Sequence, residues 1–329
     1  VSRLRYTFKV NHERTPRRYD SYMNAEWALF RGDRLVPRPR VTAPPGLSAN
    51  TTVRFVLPEG WSIGKPFAPQ GTKEFEIDDP KRRFDRPRGW MLAGKIGVRA
   101  EKIGHVQATI AAPVGESARR QDMLAFLNWN LPNLLEVFED FPSRLLIVSA
   151  GDPMWRGGLS GPSSLFLHSD RPLISENRTS TLLHELVHVA MGIHGDHESD
   201  WIVEGLAEYY SVETLRRSNG ISERRYHQAL ADMHRWAVRA PTLFTKNSSG
   251  ATTARAVIVL HGVDREIRSK TSGRKSLDDV ARALARDGGE VTLARLQGAA
   301  AAVAGSPLKT LERSQLAKAP KPVASETSP

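Results

Sequence analysis

The sequence predicts an α+β chain: a basic N-terminal β domain over residues 1–113, a mainly helical domain over 114–310, and a disordered tail over 311–329. Three observations predict it. Short runs of alternating apolar and polar residues, separated by Pro and Gly clusters, fill the first third. Beyond residue 118 apolar residues recur at helical spacing, and beyond Leu311 the chain turns to Ala, Lys, Pro and Ser. Within the helical part, His184-Glu185-Leu186-Val187-His188 sets two imidazoles four residues apart, with a carboxylate directly after the first.

Over residues 3–10, Leu4, Tyr6, Phe8 and Val10 alternate with Arg3, Arg5, Thr7 and Lys9, the period of a half-buried strand. Further strands are expected at 27–30, 52–57, 73–77 and 104–110, with breaks such as Pro37-Arg38-Pro39 and Pro44-Pro45-Gly46 between them. Ala112-Pro113-Val114-Gly115 marks the domain junction. Met123, Phe126, Leu127, Leu134, Leu135, Val137 and Phe138 predict helical packing over 118–140, interrupted at Pro132. Short buried strands are expected at 145–148 and 165–168. Helices follow at 178–191, with Thr179 and Ser180 as N-cap candidates and Gly192 as the stop, and at 201–217, ended by Ser218-Asn219-Gly220. Three more are expected at 222–238, 253–267 and 276–286, the last with Asp278 and Asp279 in its first turn.

The spacing of His184 and His188 gives the first chemical reading. On a helix, positions i and i+4 share a face with Cβ atoms about 5–6 Å apart, so both rings can reach one tetrahedral metal. Coincidence yields this five-residue pattern in about one chain in a hundred of this length, so its surroundings decide. Two histidines leave a zinc site one protein ligand short. Downstream, Glu204 and Glu208 recur at i and i+4 among Trp201, Ile202, Leu206, Ala207, Tyr209 and Tyr210, company too apolar for a solvated face. Glu204 is therefore the expected third ligand, Glu208 the acceptor that orients a ligand imidazole, and Glu185 the catalytic general base, with one Zn2+ per chain.

His194 is a rival third ligand, six residues after His188. The pattern HExxHxxGxxH places glycine at 191, where this chain has Met191, with Gly192 one place late. Glu204 is preferred on that ground. The remaining polar loop 195–200 is expected to connect elements.

His184-Glu185-Leu186-Val187-His188 followed by Trp201-Ile202-Val203-Glu204-Gly205-Leu206-Ala207 resembles the gluzincin metallopeptidases, and within them is most similar to the bacterial glycyl aminopeptidase family. That resemblance implies an N-terminal β domain joined to a thermolysin-like helical catalytic domain, zinc on His184, His188 and Glu204, and water activation by Glu185. Leu57-Pro58-Glu59-Gly60-Trp61 and Phe84-Asp85-Arg86-Pro87 are similar to pieces of that family's β domain. The PDZ domain of many such relatives is not expected in the residues after 310. Two departures stand out. Where the resemblance implies Gly-Gly-Leu-Glu-His, whose glutamate holds a substrate's free amine, the chain reads Gly157-Gly158-Leu159-Ser160-Gly161. Where it implies a tyrosine donor to the oxyanion, the register gives Thr253, and no tyrosine follows Tyr226. Losing one such donor costs about 2.7–4 kcal/mol of barrier. Tyr209, Tyr210, Tyr226, His234 and His261 are the alternative donors, although Tyr209 and Tyr210 are expected in the core, and His227 and His234 at packing or surface positions.

Composition bounds the partners. Hydrophobic residues at 40% and charged residues at 25% suit a globular protein, and no apolar run approaches a membrane span. With no cysteine, disulfides and thiolate ligands are excluded, leaving His and carboxylate as the strong metal ligands. Absence of cysteine fits cytoplasm and periplasm alike. A start at Val1 without an apolar signal core is expected of a mature or trimmed form, which favours a periplasmic or secreted location. The net charge of +11 is concentrated in residues 1–115, with 21 Lys and Arg against 11 Asp and Glu. No specific nucleic-acid motif accompanies it.

The expected function is a zinc metallopeptidase acting on a peptide or protein substrate, aminopeptidase and endopeptidase both open. Two alternatives stay beside it: a catalytically weak or inactive binding protein on a peptidase fold, and a protein that docks on an anionic polymer or membrane surface through the basic β domain.

Overall fold

The computed structural model describes residues 3–38, 40–47, 49–70, 74–77 and 86–318, with backbone only for 68–70. It divides into two compact units, Val1–Leu127 with Pro142–Arg171, and Asn128–Phe141 with Pro172–Pro329. N-terminal β structure is followed by a mainly helical part, the fold class that the sequence predicts.

In the first unit, β1 (His12–Thr15), β2 (Arg18–Met23), β3 (Trp27–Arg31) and the short α1 (Gly32–Leu35) come first. There follow β4 (Thr51–Arg54), β5 (Ser62–Gly64), β6 (Ala68–Gln70), β7 (Glu74–Ile77), β8 (Trp90–Gly94), β9 (Ile96–Ile103) and β10 (Val106–Pro113). Helix α2 (Arg120–Val137), which belongs to this unit as far as Leu127, leads to β11 (Arg144–Ala150), β12 (Gly158–Gly161) and β13 (Ser164–His168). Three sheets result, ordered β1-β2-β3-β8-β5, β12-β13-β11-β10-β9 and β4-β7-β6. The core of this unit is built by Trp27, Leu29, Trp90 and Leu92 from one five-stranded sheet meeting Ala111, Leu146, Val148 and Phe166 from the other.

Three expectations are corrected here. The junction expected at 112–115 lies at the end of β10, which pairs in parallel with β11 from Gln107 opposite Arg144 to Ala111 opposite Val148. Parallel neighbours require a crossover, and α2 supplies it, so the sheet continues past the composition break. Helix α2 runs unbroken through Pro132. That proline is on the exposed side, where water can satisfy the carbonyl that loses its donor. Residues 3–10 do not form the expected strand. Among the described residues no ladder pairs with them, and Leu4, Tyr6 and Phe8 remain 72%, 48% and 47% exposed, because period-two alternation stabilises a strand only where a neighbour accepts its backbone.

The second unit holds α3 (Thr181–Met191), β14 (Ile193–Gly195), α4 (Asp200–Arg217), α5 (Glu223–Ala237), α6 (Ala251–Lys270), α7 (Leu277–Asp287), β15 (Gly289–Val291), α8 (Leu293–Ala304) and α9 (Arg313–Leu316). Ser180 caps α3 by accepting from the Leu183 amide, and Gly192 closes it at φ 57°, a left-handed conformation that glycine adopts without strain. Gly205 sets the approach of α4 to α6: a Cβ built there would stand 2.6 Å from the Ala256 Cβ. Any larger residue beside Glu204 would push the helices apart. Arg217 forks onto both Asp278 oxygens at 2.9 Å while Glu213, only 4% exposed, accepts from Arg216 and Arg217, which ties α4 to the start of α7.

Residues 311–318, expected in the tail, are packed: Leu311 and Leu316 are buried, and the Arg255 guanidinium donates to the Leu316 and Lys318 carbonyls. Residues 319–329 and the Phe84-Asp85 half of the motif noted above lie outside the described residues.

Candidate metal centre

Helices α3 and α4 position the centre. The α3 face carrying Leu182, Leu183, Leu186 and Val187 is fully buried, as are Trp201, Ile202, Leu206 and Ala207 of α4. Burial of those stripes fixes the rotation of both helices, and it leaves His184, His188, Glu204 and Glu208 in partial exposure.

The donor atoms converge. His184 Nε2 and His188 Nε2 are 3.1 Å apart, Glu204 Oε2 is 3.3 Å from the first, and Glu204 Oε1 is 3.4 Å from the second. His184 Nδ1 lies 2.9 Å from Glu208 Oε2. With Nδ1–H donated to Glu208, Nε2 is the atom left to face a metal. A tetrahedron built on zinc bonds of about 2.0–2.2 Å has edges of about 3.3–3.6 Å, and the separations here, 3.1–3.4 Å with each Glu204 oxygen facing one ring, come close to it. Among the described residues, His184, His188 and Glu204 are the group of histidine and acidic side chains close enough to share a metal ion.

Electrostatics favour a cation here. Burial pushes the His184 ring towards neutrality, but hydrogen bonds to Glu204 and Glu208 outweigh it, and in the metal-free chain its pKa is raised well above the ordinary value. Burial and the neighbouring His184 lower His188 to about 4, which keeps that ring neutral. Burial would raise Glu204, yet the hydrogen bond to His184 and the electrostatic pull of the neighbouring imidazoles bring it below the usual carboxylate range. Glu185 is buried at 8% exposure on α3, and its charge adds to the field at His184.

Other predicted residues fall elsewhere. His194 is exposed on β14, opposite Glu290 of β15, and takes no place in the donor group. Tyr210 is buried and donates to Asp278 at 3.0 Å, and Tyr209 is buried beside it.

A cavity of about 330 Å³ adjoins the centre, with His184, Glu204 and Glu208 on one side. Its lining also includes Ala229, Asp232, Met233 and Trp236 of α5, Thr253 and Ala254 of α6, and the polar residues Asn177, Thr179, Ser248 and Ser249 with Gly250 from the segments before α3 and α6. Tyr209, Tyr210, Tyr226, His234 and His261 are not among its lining residues. The cavity was not read from the sequence, although the i, i+3, i+4, i+7 stripe on α5 was the available signal. Nor was the pairing of Asp232 with Arg178 at 2.7 Å, which depends on residues 54 positions apart.

No protein-family model and no curated protein sequence matches the chain. Solved structures do. An aminopeptidase N family protein from Idiomarina loihiensis superposes with a TM-score of 0.62 at 16% identity, over 82% of this chain and 54% of that one. An M1 zinc metallopeptidase from Deinococcus radiodurans gives 0.54 at 16% identity, over 84% of this chain and 66% of the other. Native yeast LTA4 hydrolase gives 0.53 at 14% identity, over 80% and 46%. The chain thus spans about half to two-thirds of the length of these proteins. What they share with it is the fold, N-terminal β structure followed by a mainly helical part, as in M1 zinc metallopeptidases.

Proposed function

We propose that this chain is a zinc-dependent peptidase of the gluzincin type, with His184, His188 and Glu204 as the ligands of one zinc ion and Glu185 as general base. The observation that carries this reading is the convergence of two Nε2 atoms and one carboxylate at 3.1–3.4 Å, with the outer nitrogen of His184 turned to Glu208. Likeness in fold to M1 zinc metallopeptidases supports it.

Zinc bound there supplies Lewis acidity, which lowers the pKa of water towards about 7 and polarises a scissile carbonyl. Glu185 takes the proton of the attacking water onto its carboxylate and delivers it to the leaving amine. Glu204 contributes a negative charge between the two rings, and Glu208 fixes the tautomer and rotation of His184. With Ser160 where the resemblance implies an amine-holding glutamate, the free amine loses its anchor, which favours an endopeptidase or a narrow substrate range.

Replacing Glu185 with Gln tests the assignment: peptide cleavage should fall about 100- to 10,000-fold while the zinc content stays at one per chain. Unchanged cleavage would sink the general-base role. A second reading, a zinc-holding peptide-binding protein without turnover, is favoured by the absence of every tyrosine from the cavity lining. A broad peptide-library digest in which nothing is cut by the zinc-loaded protein would select it.

A further inference from the structure

Polar contacts between α3 and α4 form a ladder, and one rung of it lies away from the metal. Ser180, His184 and His188 recur every four residues from the cap of α3, and Glu204, Glu208 and Ser211 fall at i, i+4 and i+7 on one face of α4. The two stripes meet in antiparallel order: Ser180 with Ser211, His184 with Glu208 at 2.9 Å, and His188 with Glu204 at 3.4 Å. The serine end is dry. Ser180 is 1% exposed and Ser211 0%, whereas both histidines and both glutamates keep partial exposure.

The serine rung differs from the others in what it grips. Ser211 Oγ accepts from the Ser180 amide at 3.0 Å and donates to the Ser180 carbonyl at 3.0 Å, so one hydroxyl spends both its bonding roles on the backbone of α3. The same carbonyl accepts from the His184 amide at 2.9 Å, which carries the contact to the first histidine. Glutamate arms are long and can follow a helix that slides. A serine hydroxyl stands one bond beyond Cβ, and a slip of one residue moves a helix by about 1.5 Å, enough to break both bonds. At this buried position such a slip leaves the Ser180 amide unpaired, which opposes it. Resting on the zinc reading above, we propose that Ser211 is a positioning residue for the metal centre: by locking α4 to the cap of α3 it sets the helix register in which Glu208 meets His184 and Glu204 meets both rings.

The test compares the full-length protein with Ser211→Ala and with Ser218→Ala, which removes another buried hydroxyl at the C-terminal cap of the same helix, one that donates to Asn130 Oδ1 at 2.8 Å. Two readouts are taken where all three proteins are folded by circular dichroism. One is zinc affinity in competition with a chelator. The other, in metal-free protein with isotopically labelled histidine rings, is the proton resonance of the His184 Nδ1–H held by Glu208. Ser211→Ala should lower zinc affinity about 10-fold, the scale at which groups that orient a ligand act, and lose the sheltered resonance to exchange with water. Ser218→Ala should change neither, although it too unfolds at lower denaturant. Parent affinity or the parent resonance in Ser211→Ala would overturn the proposal, as would an equal loss of affinity in Ser218→Ala. If the unsubstituted protein takes up zinc that Glu204→Ala loses, yet Ser211→Ala binds it as tightly, the zinc reading stands and the register claim falls. If the unsubstituted protein takes up no zinc, the zinc reading falls and the resonance alone decides: its loss in Ser211→Ala upholds the lock, and its persistence refutes it.

Discussion

Among the described residues histidine meets carboxylate at His12, at His168 and at the pair His184 and His188, and only the last has the makings of a metal centre. His168, in the first unit, is fully buried, with Nε2 3.3 Å from Asp152 Oδ1 and Nδ1 accepting the Asp170 amide at 3.2 Å. Asp152 is also held by the guanidiniums of Arg18 and Arg156, and the Arg156 hydrogen bond keeps its carboxyl far below the usual range. Burial lowers the His168 pKa, so the ring is neutral and its neighbouring charge is already balanced. At His184 and His188 the carboxylates of Glu204 and Glu208 have imidazoles as partners and no arginine among them. The contrast shows that a histidine beside an acid is ordinary. What distinguishes a candidate metal site is convergence of several donors around negative charge that no fixed cation has neutralised.

The largest expected effect breaks that convergence. Glu204→Ala should remove stoichiometric zinc, measured by metal analysis after dialysis against a metal-buffered solution. Next in size, Glu208→Ala leaves the three donors in place but frees the His184 ring, and zinc affinity in competition with a chelator should fall about 10- to 100-fold. Proton linkage should be visible as well. In the metal-free chain the raised His184 pKa means that this ring holds a proton at neutral pH, while His188, at about 4, does not. Zinc binding must displace that proton. Affinity should therefore weaken about tenfold per unit as pH falls from 7 to 5, with close to one proton released per zinc in calorimetry across buffers of different ionisation enthalpy. The smallest effect on zinc belongs to the contrasting histidine: His168→Ala should leave zinc content unchanged and cost about 1–3 kcal/mol in denaturant unfolding, as loss of a buried polar side chain does.

The parts of this picture legible in the sequence are those that a helix makes local. Spacing alone puts His184 with His188 on one face, and Glu204 with Glu208 on another, because both pairs depend only on a 3.6-residue turn. Apolar stripes and the signals at Ser180 and Gly192 locate α3 to within a few residues. Strands with a strong core face, such as β3, β11 and β13, were legible for the same reason. Residues 3–10 were misread because alternation says nothing about whether a partner strand exists, and Pro132 because its cost depends on which side of α2 it occupies. Nothing local announces that Asp232 pairs with Arg178, or that Gly205 must admit Ala256, and these tertiary facts shape the cavity and the seat of α4.

The most direct test of the central claim is the zinc content of the purified protein beside its Glu204→Ala and His194→Ala variants, against a low metal background. One zinc per chain, lost in Glu204→Ala and retained in His194→Ala, is the predicted result. Zinc retained without Glu204 and lost without His194, or no zinc in the parent protein, would contradict it.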